Sequence, residues 1–186
     1  YFNRLESWAG MAKPWVTYIA RASYLLQQGR DVADIGYFYG EEAPLTSLYG
    51  NDPVADAPVS HAYDFVNADA VMNLLSVADD GEVVARGGAR YRALYLGGSS
   101  ERMTVPMLRK LAGLVEAGAT VIGTAPTRSP SLDDDPAQFA ALVEKLWPGG
   151  DEARVGKGRV IASHDVETSL GRMGVKPDFT YTGPKP

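Results

Sequence analysis

The chain has 186 residues, 45% hydrophobic and 22% charged, which suits one domain with its own core plus an appended piece. Its net charge of -5 leaves no basic stripe for nucleic acid or an anionic membrane surface. The absence of cysteine excludes thiol catalysis, disulfides and thiolate metal sites, and no apolar run approaches the ~18 residues of a membrane span.

The chain opens YFNRLESWAG, without methionine, and closes on YTGPKP, so it reads as a piece of a longer polypeptide. No signal peptide is visible; the expectation is a soluble chain, with cytoplasm and periplasm both open. Residues 8–28 carry Trp15, Tyr18, Ile19, Ala22, Leu25 and Leu26 at three- and four-residue intervals, the spacing of one helix face. Pro14 fits its first turn and Gly29 its stop. Trp8, Trp15 and the tyrosines read first as packing residues. Val32–Tyr39 is nearly continuous in apolar character, as a central parallel strand is, and Glu41 to Tyr63 is a long loop. Asn67 or Asp69 caps a helix to about Leu75, and Leu75–Ala78 with Glu82–Ala85 predicts a hairpin across Asp79-Asp80-Gly81. Arg90–Leu96 is a core strand ending at Gly97-Gly98. Thr104 caps a helix to Ala117, with Pro106 in its first turn and Gly118 at its end. Thr120–Ile122 is a strand, 131–135 a polar turn, Pro136–Trp147 a helix, Gly158–Ala162 a strand, Asp165–Met173 a short helix and Phe179–Tyr181 a last strand. Alternating strands and helices predict an open, mostly parallel α/β sheet with helices on both faces, flavodoxin-like, preceded by one N-terminal helix.

In such a sheet, ligands enter the crevice at the carboxyl ends of the strands. There the sequence places Glu41 and Glu42 after the first strand, Ser99 and Ser100 in GSSER (98–102), and Arg128 in 123–128. A phosphate cradle at 97–103 lacks GxGxxG and a Walker lysine, Glu101 opposes a phosphate, and Pro106 removes a helix-start amide. Ser99 or Ser100 as nucleophile lacks the GxSxG elbow, and His61 and His164 have no metal-ligand spacing. Glycosidase chemistry needs two carboxylates facing across a sugar, which the neighbours Glu41 and Glu42 do not provide because their side chains diverge. No catalytic residue and no metal ligand is assigned.

Three segments resemble one family. Asn3, Arg4 and Trp8 form N-R-x-x-x-W; Tyr24, Leu25, Leu26, Gln27, Gln28 and Gly29 form Y-L-L-Q-Q-G; Tyr39, Gly40 and Glu41 follow the first strand. YDFVNADAVMNLLSV (63–77) and residues 91–132 continue in order. This resembles bacterial α-L-rhamnosidases of glycoside hydrolase family 106 over nearly the whole chain. The resemblance implies a parent that hydrolyses α-linked L-rhamnosides with inversion, using two glutamates and a calcium ion in a (β/α)8 barrel encoded upstream. Residues 1–30 would be the last barrel helix and 31–186 an accessory domain like class I glutamine amidotransferases, without their cysteine. Asn3, Arg4, Glu6 and Trp8 would then lie nearest the sugar, or equally at the interface with the barrel, which is the implied partner, and Glu41 and Glu42 would face the barrel or solvent. No cofactor is expected in this piece. The rival readings are a binding or oligomerisation module and a small phosphate-binding protein.

Overall fold

A computed structural model describes residues 5–30, 32–42, 54, 56–177, 180 and 183. The chain divides into two units, Tyr1–Asp31 and Val32–Pro186.

In the first unit a 3-10 turn, Ala9–Met11, leads into helix α1, Lys13–Leu26, with Pro14 in its first turn as expected. A single amphipathic helix has no second layer of its own, and no side chain of α1 is buried. Its apolar stripe stays open, with Tyr18 and Leu25 each 69% exposed.

The second unit holds β1 (Ile35–Phe38), β2 (Tyr63–Val66), α2 (Ala68–Asn73), β3 (Leu75–Val77), β4 (Val83–Ala85), β5 (Arg90–Tyr91) and β6 (Ala93–Leu96). It continues with α3 (Val105–Ala117), β7 (Thr120–Ile122), α4 (Pro136–Leu146), β8 (Glu152–Val155), β9 (Gly158–Ile161) and α5 (Val166–Arg172). The main sheet runs β2-β1-β6-β7-β9-β8; all its pairs are parallel except β8 with β9. A second, antiparallel sheet runs β3-β4-β5.

The central strands are buried on both faces, and alternate residues feed two cores. Phe38, Leu94, Leu96, Val121 and Val160 point to the face covered by α2, α3 and α4. Ile35, Tyr37, Ala93, Tyr95, Ile122 and Ile161 point to the face covered by Val166 and Leu170 of α5. This two-sided covering is the expected open α/β architecture.

Several boundaries differ from expectation. The first strand begins at Ile35, because Val32 is 65% exposed and sits outside the core. RYRALYL is two strands: Arg92 is exposed, and the chain leaves the small sheet at Tyr91 to join the main one at Ala93. The expected hairpin is therefore a three-stranded sheet. Two strands are additional. β2 lies at one edge, within the stretch read as loop and helix approach, and β8 lies antiparallel at the other. The expected last strand at Phe179–Tyr181 lies outside the described residues, apart from Thr180.

Candidate functional site

The strand order reverses between β1 and β6, so the crevice at their carboxyl ends is where an open α/β sheet offers a ligand site. Here the loops after β1 and β6 close on each other. A Cβ on Gly40 would lie 2.2 Å from Ser99 Oγ, and one on Gly98, whose φ is +56°, would lie 2.4 Å from the Tyr39 carbonyl oxygen. Only glycine permits this approach.

The start of α3 lies at this point, and each of its amides is taken. Glu41 accepts from the Thr104 amide at 2.7 Å and from the Thr104 hydroxyl at 2.9 Å. Asp134 accepts from the Val105 amide at 2.7 Å and from the Ser129 hydroxyl at 2.5 Å. Pro106 has no amide proton, and Met107 donates to Thr104 Oγ1 at 3.3 Å. The positive end of the helix dipole is thus neutralised by two carboxylates of the protein itself. Glu42 pairs instead with Arg102 at 2.8 Å. The two glutamates diverge: Glu41 meets the start of α3, and Glu42, exposed to solvent, meets Arg102 of its approach loop.

The serines are likewise committed. The buried Ser100 hydroxyl lies 2.6 Å from the Gly97 carbonyl and 3.2 Å from that of Phe38, and Ser99 donates to the Tyr39 carbonyl at 3.4 Å. A hydroxyl proton spent on backbone, with no base beside it, does not make a nucleophile. Arg128 contributes backbone: its carbonyl accepts from the Met103 amide at 3.2 Å. In the first unit, Trp8 packs edge-to-face on Trp15 with centroids 6.2 Å apart, and the Glu6 carbonyl accepts from the Ala9 amide at 3.1 Å. Asn3 and Arg4 lie outside the described residues.

On the α5 face of the crevice Asp56, Tyr37, Tyr95 and Glu167, none of them a candidate in the sequence, gather with His61 and His164, which were considered only as metal ligands. Asp56 accepts from Tyr37 Oη at 2.6 Å and from Tyr95 Oη at 3.1 Å. Burial first, and the Asp56 carboxylate next, push both tyrosines far above their ordinary range, so they remain protonated donors. His164 meets the Thr124 hydroxyl at 2.9 Å. Further along α5, Glu167 accepts from the Val59 and Ser60 amides at 2.6 and 2.7 Å and lies 3.1 Å from His61 Nδ1. Burial alone would raise the Glu167 carboxyl; the two amides and the imidazole outweigh it and hold it below the usual glutamate range. Tyr37 and Tyr95 were legible only as core, and Asp56 only as a loop residue. Among the described residues, no group of three or more His, Asp or Glu is placed to hold a metal ion, and no helix is long and apolar enough to cross a membrane.

The whole chain superposes on part of the structure of a rhamnosidase from Novosphingobium sp. PP1Y, with a TM-score of 0.88 and 60% identity, covering 100% of this chain and 18% of that one. A second relative, named "Putative beta-glucuronidase", from Formosa agariphila, is 33% identical over 152 residues, 80% of this chain and 13% of its own length. The chain thus spans less than a fifth of each relative's length. The glycoside hydrolase 106 family, described as alpha-L-rhamnosidase, matches residues 1–185, and the chain belongs to that family.

Proposed function

We propose that this chain is an accessory, non-catalytic part of a glycoside hydrolase that releases α-linked L-rhamnose. The observation that carries this reading is the start of α3, where Glu41 and Asp134 occupy the amides that a catalytic crevice would present to an oxyanion. The Ser99 and Ser100 hydroxyls are likewise bound to backbone carbonyls, which supports the same reading. Rhamnose is favoured as the substrate sugar because the rhamnosidase relative is 60% identical and the relative named for glucuronide cleavage 33%.

In this reading residues 1–30 form the terminal helix of a catalytic barrel and 31–186 an amidotransferase-like domain that holds the barrel's edge. The exposed stripe of α1 then packs on the barrel, and Asn3, Arg4, Glu6 and Trp8 lie nearest the sugar. The two catalytic glutamates and any calcium ion belong to the barrel. The same stripe supports a second reading, an oligomerisation module without hydrolase activity in any parent.

An aryl α-L-rhamnoside assay tests the proposal. The 186-residue chain alone should show no turnover, and the longer polypeptide that carries it should be active. Turnover by the purified chain that disappears in a Glu41→Gln, Glu42→Gln double variant overturns the accessory role; an inactive longer polypeptide overturns the glycosidase reading.

A further inference from the structure

The amino end of the main sheet carries a charge arrangement that its own contacts do not explain. In the hairpin β8–β9, Arg154 stands directly across from Arg159 in the antiparallel register. Their Cβ atoms are then roughly 5 Å apart, and like charges so placed are destabilising. Lys157 follows Gly156 in the two-residue turn, so three cations fall within six residues of a chain whose net charge is -5.

The nearby acids are largely engaged elsewhere or weakly placed. Glu116 pairs with Lys145 at 2.5 Å, and Glu152 reaches Arg159 only at 3.4 Å. The side chains of Arg154 and Lys157 have no ion pair or hydrogen bond among the described residues. The cations are not needed to finish the adjoining end of α3 either. The Leu114 carbonyl accepts from the Gly118 and Ala119 amides, Val115 from Gly118, and Glu116 from the Lys157 amide at 3.0 Å.

Arg154, Lys157 and Arg159, with the Thr120 hydroxyl, line a polar cavity of about 270 Å³. Thr120 and Arg159 also line a second cavity of about 530 Å³, with Arg92, Glu82, Asp80 and Lys176 among its other residues. Arg159 makes only long contacts with Thr120 Oγ1 and Glu152 Oε1, both at 3.4 Å.

We propose that this cavity at the amino ends of β7 and β9 binds a carboxylated saccharide unit, with Arg154, Lys157 and Arg159 on the carboxylate and the adjoining polar cavity on the sugar hydroxyls. The guanidinium fork matches a carboxylate bidentately, and the ammonium adds a point charge. The cavity is too small for a helix about 10 Å across, and its mostly polar walls suit hydroxyls better than the side chains of a peptide. The proposal rests on the reading of the parent as a glycan hydrolase and gives this domain a substrate-holding role remote from the crevice.

The test uses the 186-residue chain with methyl β-D-glucuronide, its neutral isostere methyl β-D-glucoside, and a tetraglutamate peptide, followed by amide chemical shifts and calorimetry. The glucuronide should bind at low salt, shift amides of 154–159, and weaken as ionic strength rises. Lys157→Ala and Arg154→Ala should each weaken it about fivefold, while an Arg128→Ala control leaves it unchanged. An equal response to the glucoside, tighter binding of the peptide, shifts mapped elsewhere, or no binding at all overturns the proposal. Such failure leaves rhamnoside turnover by the longer polypeptide unaffected, so the two readings fall separately.

Discussion

At the carboxyl end of the main sheet the first-turn amides of α3 are closed by Glu41, Asp134 and Thr104, whereas at the amino end Arg154 and Lys157 have no acidic partner among the described residues. In the first arrangement the first-turn amides of α3 each have a partner supplied by the chain. The second sets Arg154 opposite Arg159 within the hairpin, an arrangement that Glu152 offsets only in part. The end of the sheet where such folds usually take ligands is therefore not the end where like charges stand opposed. Open α/β sheets usually bind ligands at their carboxyl ends, yet here the helix amides at that end already hold the chain's own carboxylates.

The largest expected effect comes from unplugging the carboxyl end. In Glu41→Ala with Asp134→Ala, the Thr104 and Val105 amides lose charge-assisted partners, each worth about 1.5 kcal/mol, so the double variant should lose about 3 kcal/mol by chemical denaturation. Added sulfate raises the midpoint of any folded chain by exclusion, and it should raise the variant's midpoint more than the parent chain's. If sulfate stabilises both equally, the carboxyl end was never closed and the comparison fails.

A smaller loss is expected where the two loops meet the tyrosines. An added Cβ in Gly97→Ala would lie 2.3 Å from Tyr37 Oη and 2.7 Å from Asp56 Oδ2. Tyr37 is fully buried and tied to Asp56, so it has little room to yield. Overpacking of this kind costs about 2 kcal/mol. The tyrosine absorbance titration should then shift toward the ordinary range as the Tyr37–Asp56 bond weakens. A melt within about 0.5 kcal/mol of the parent's, the ordinary range for substitutions away from such features, would show that the carboxyl end is loosely packed.

What could be read from the sequence follows from the range of the interactions. Thr104, Pro106 and Gly118 bounded α3 correctly because capping acts within a few residues, and Gly118, with φ of +135°, ends the helix as its C-cap. The buried strands β1, β6, β7 and β9 were legible in their apolar runs. β8 was not: as an edge strand with only Val155 buried, its residues carry no apolar signal, and its pairing with β9 is tertiary. β2 was lost for a related reason, since its four residues alternate weakly beside a long loop. At the site, Glu41 was recognised as a strand-end carboxylate, but its partner Thr104 lies 63 residues away, and Asp134 reaches Val105 across 29. No local pattern encodes such pairs. The cluster of Arg154, Lys157 and Arg159 was visible as letters; that two of them stand face to face became visible only once the register was known.

The smallest effect sharpens the other half of the comparison. Replacing Arg154 by threonine removes one member of the like-charged pair and puts a β-branched residue on an edge strand, where such residues are favoured. No ion pair is lost, because the Arg154 side chain has none among the described residues, and Glu152 keeps its contact with Arg159. Arg154→Thr should therefore gain a few tenths of a kcal/mol, and the gain should shrink as salt screens the pair. Arg159→Thr is the control. It gives up the contacts with Thr120 and Glu152, so its gain should be smaller or absent. Melting both variants at low and high ionic strength reads the difference. If Arg154→Thr instead destabilises at low salt, the guanidinium is engaged within the fold, and the amino end is as internally satisfied as the carboxyl end.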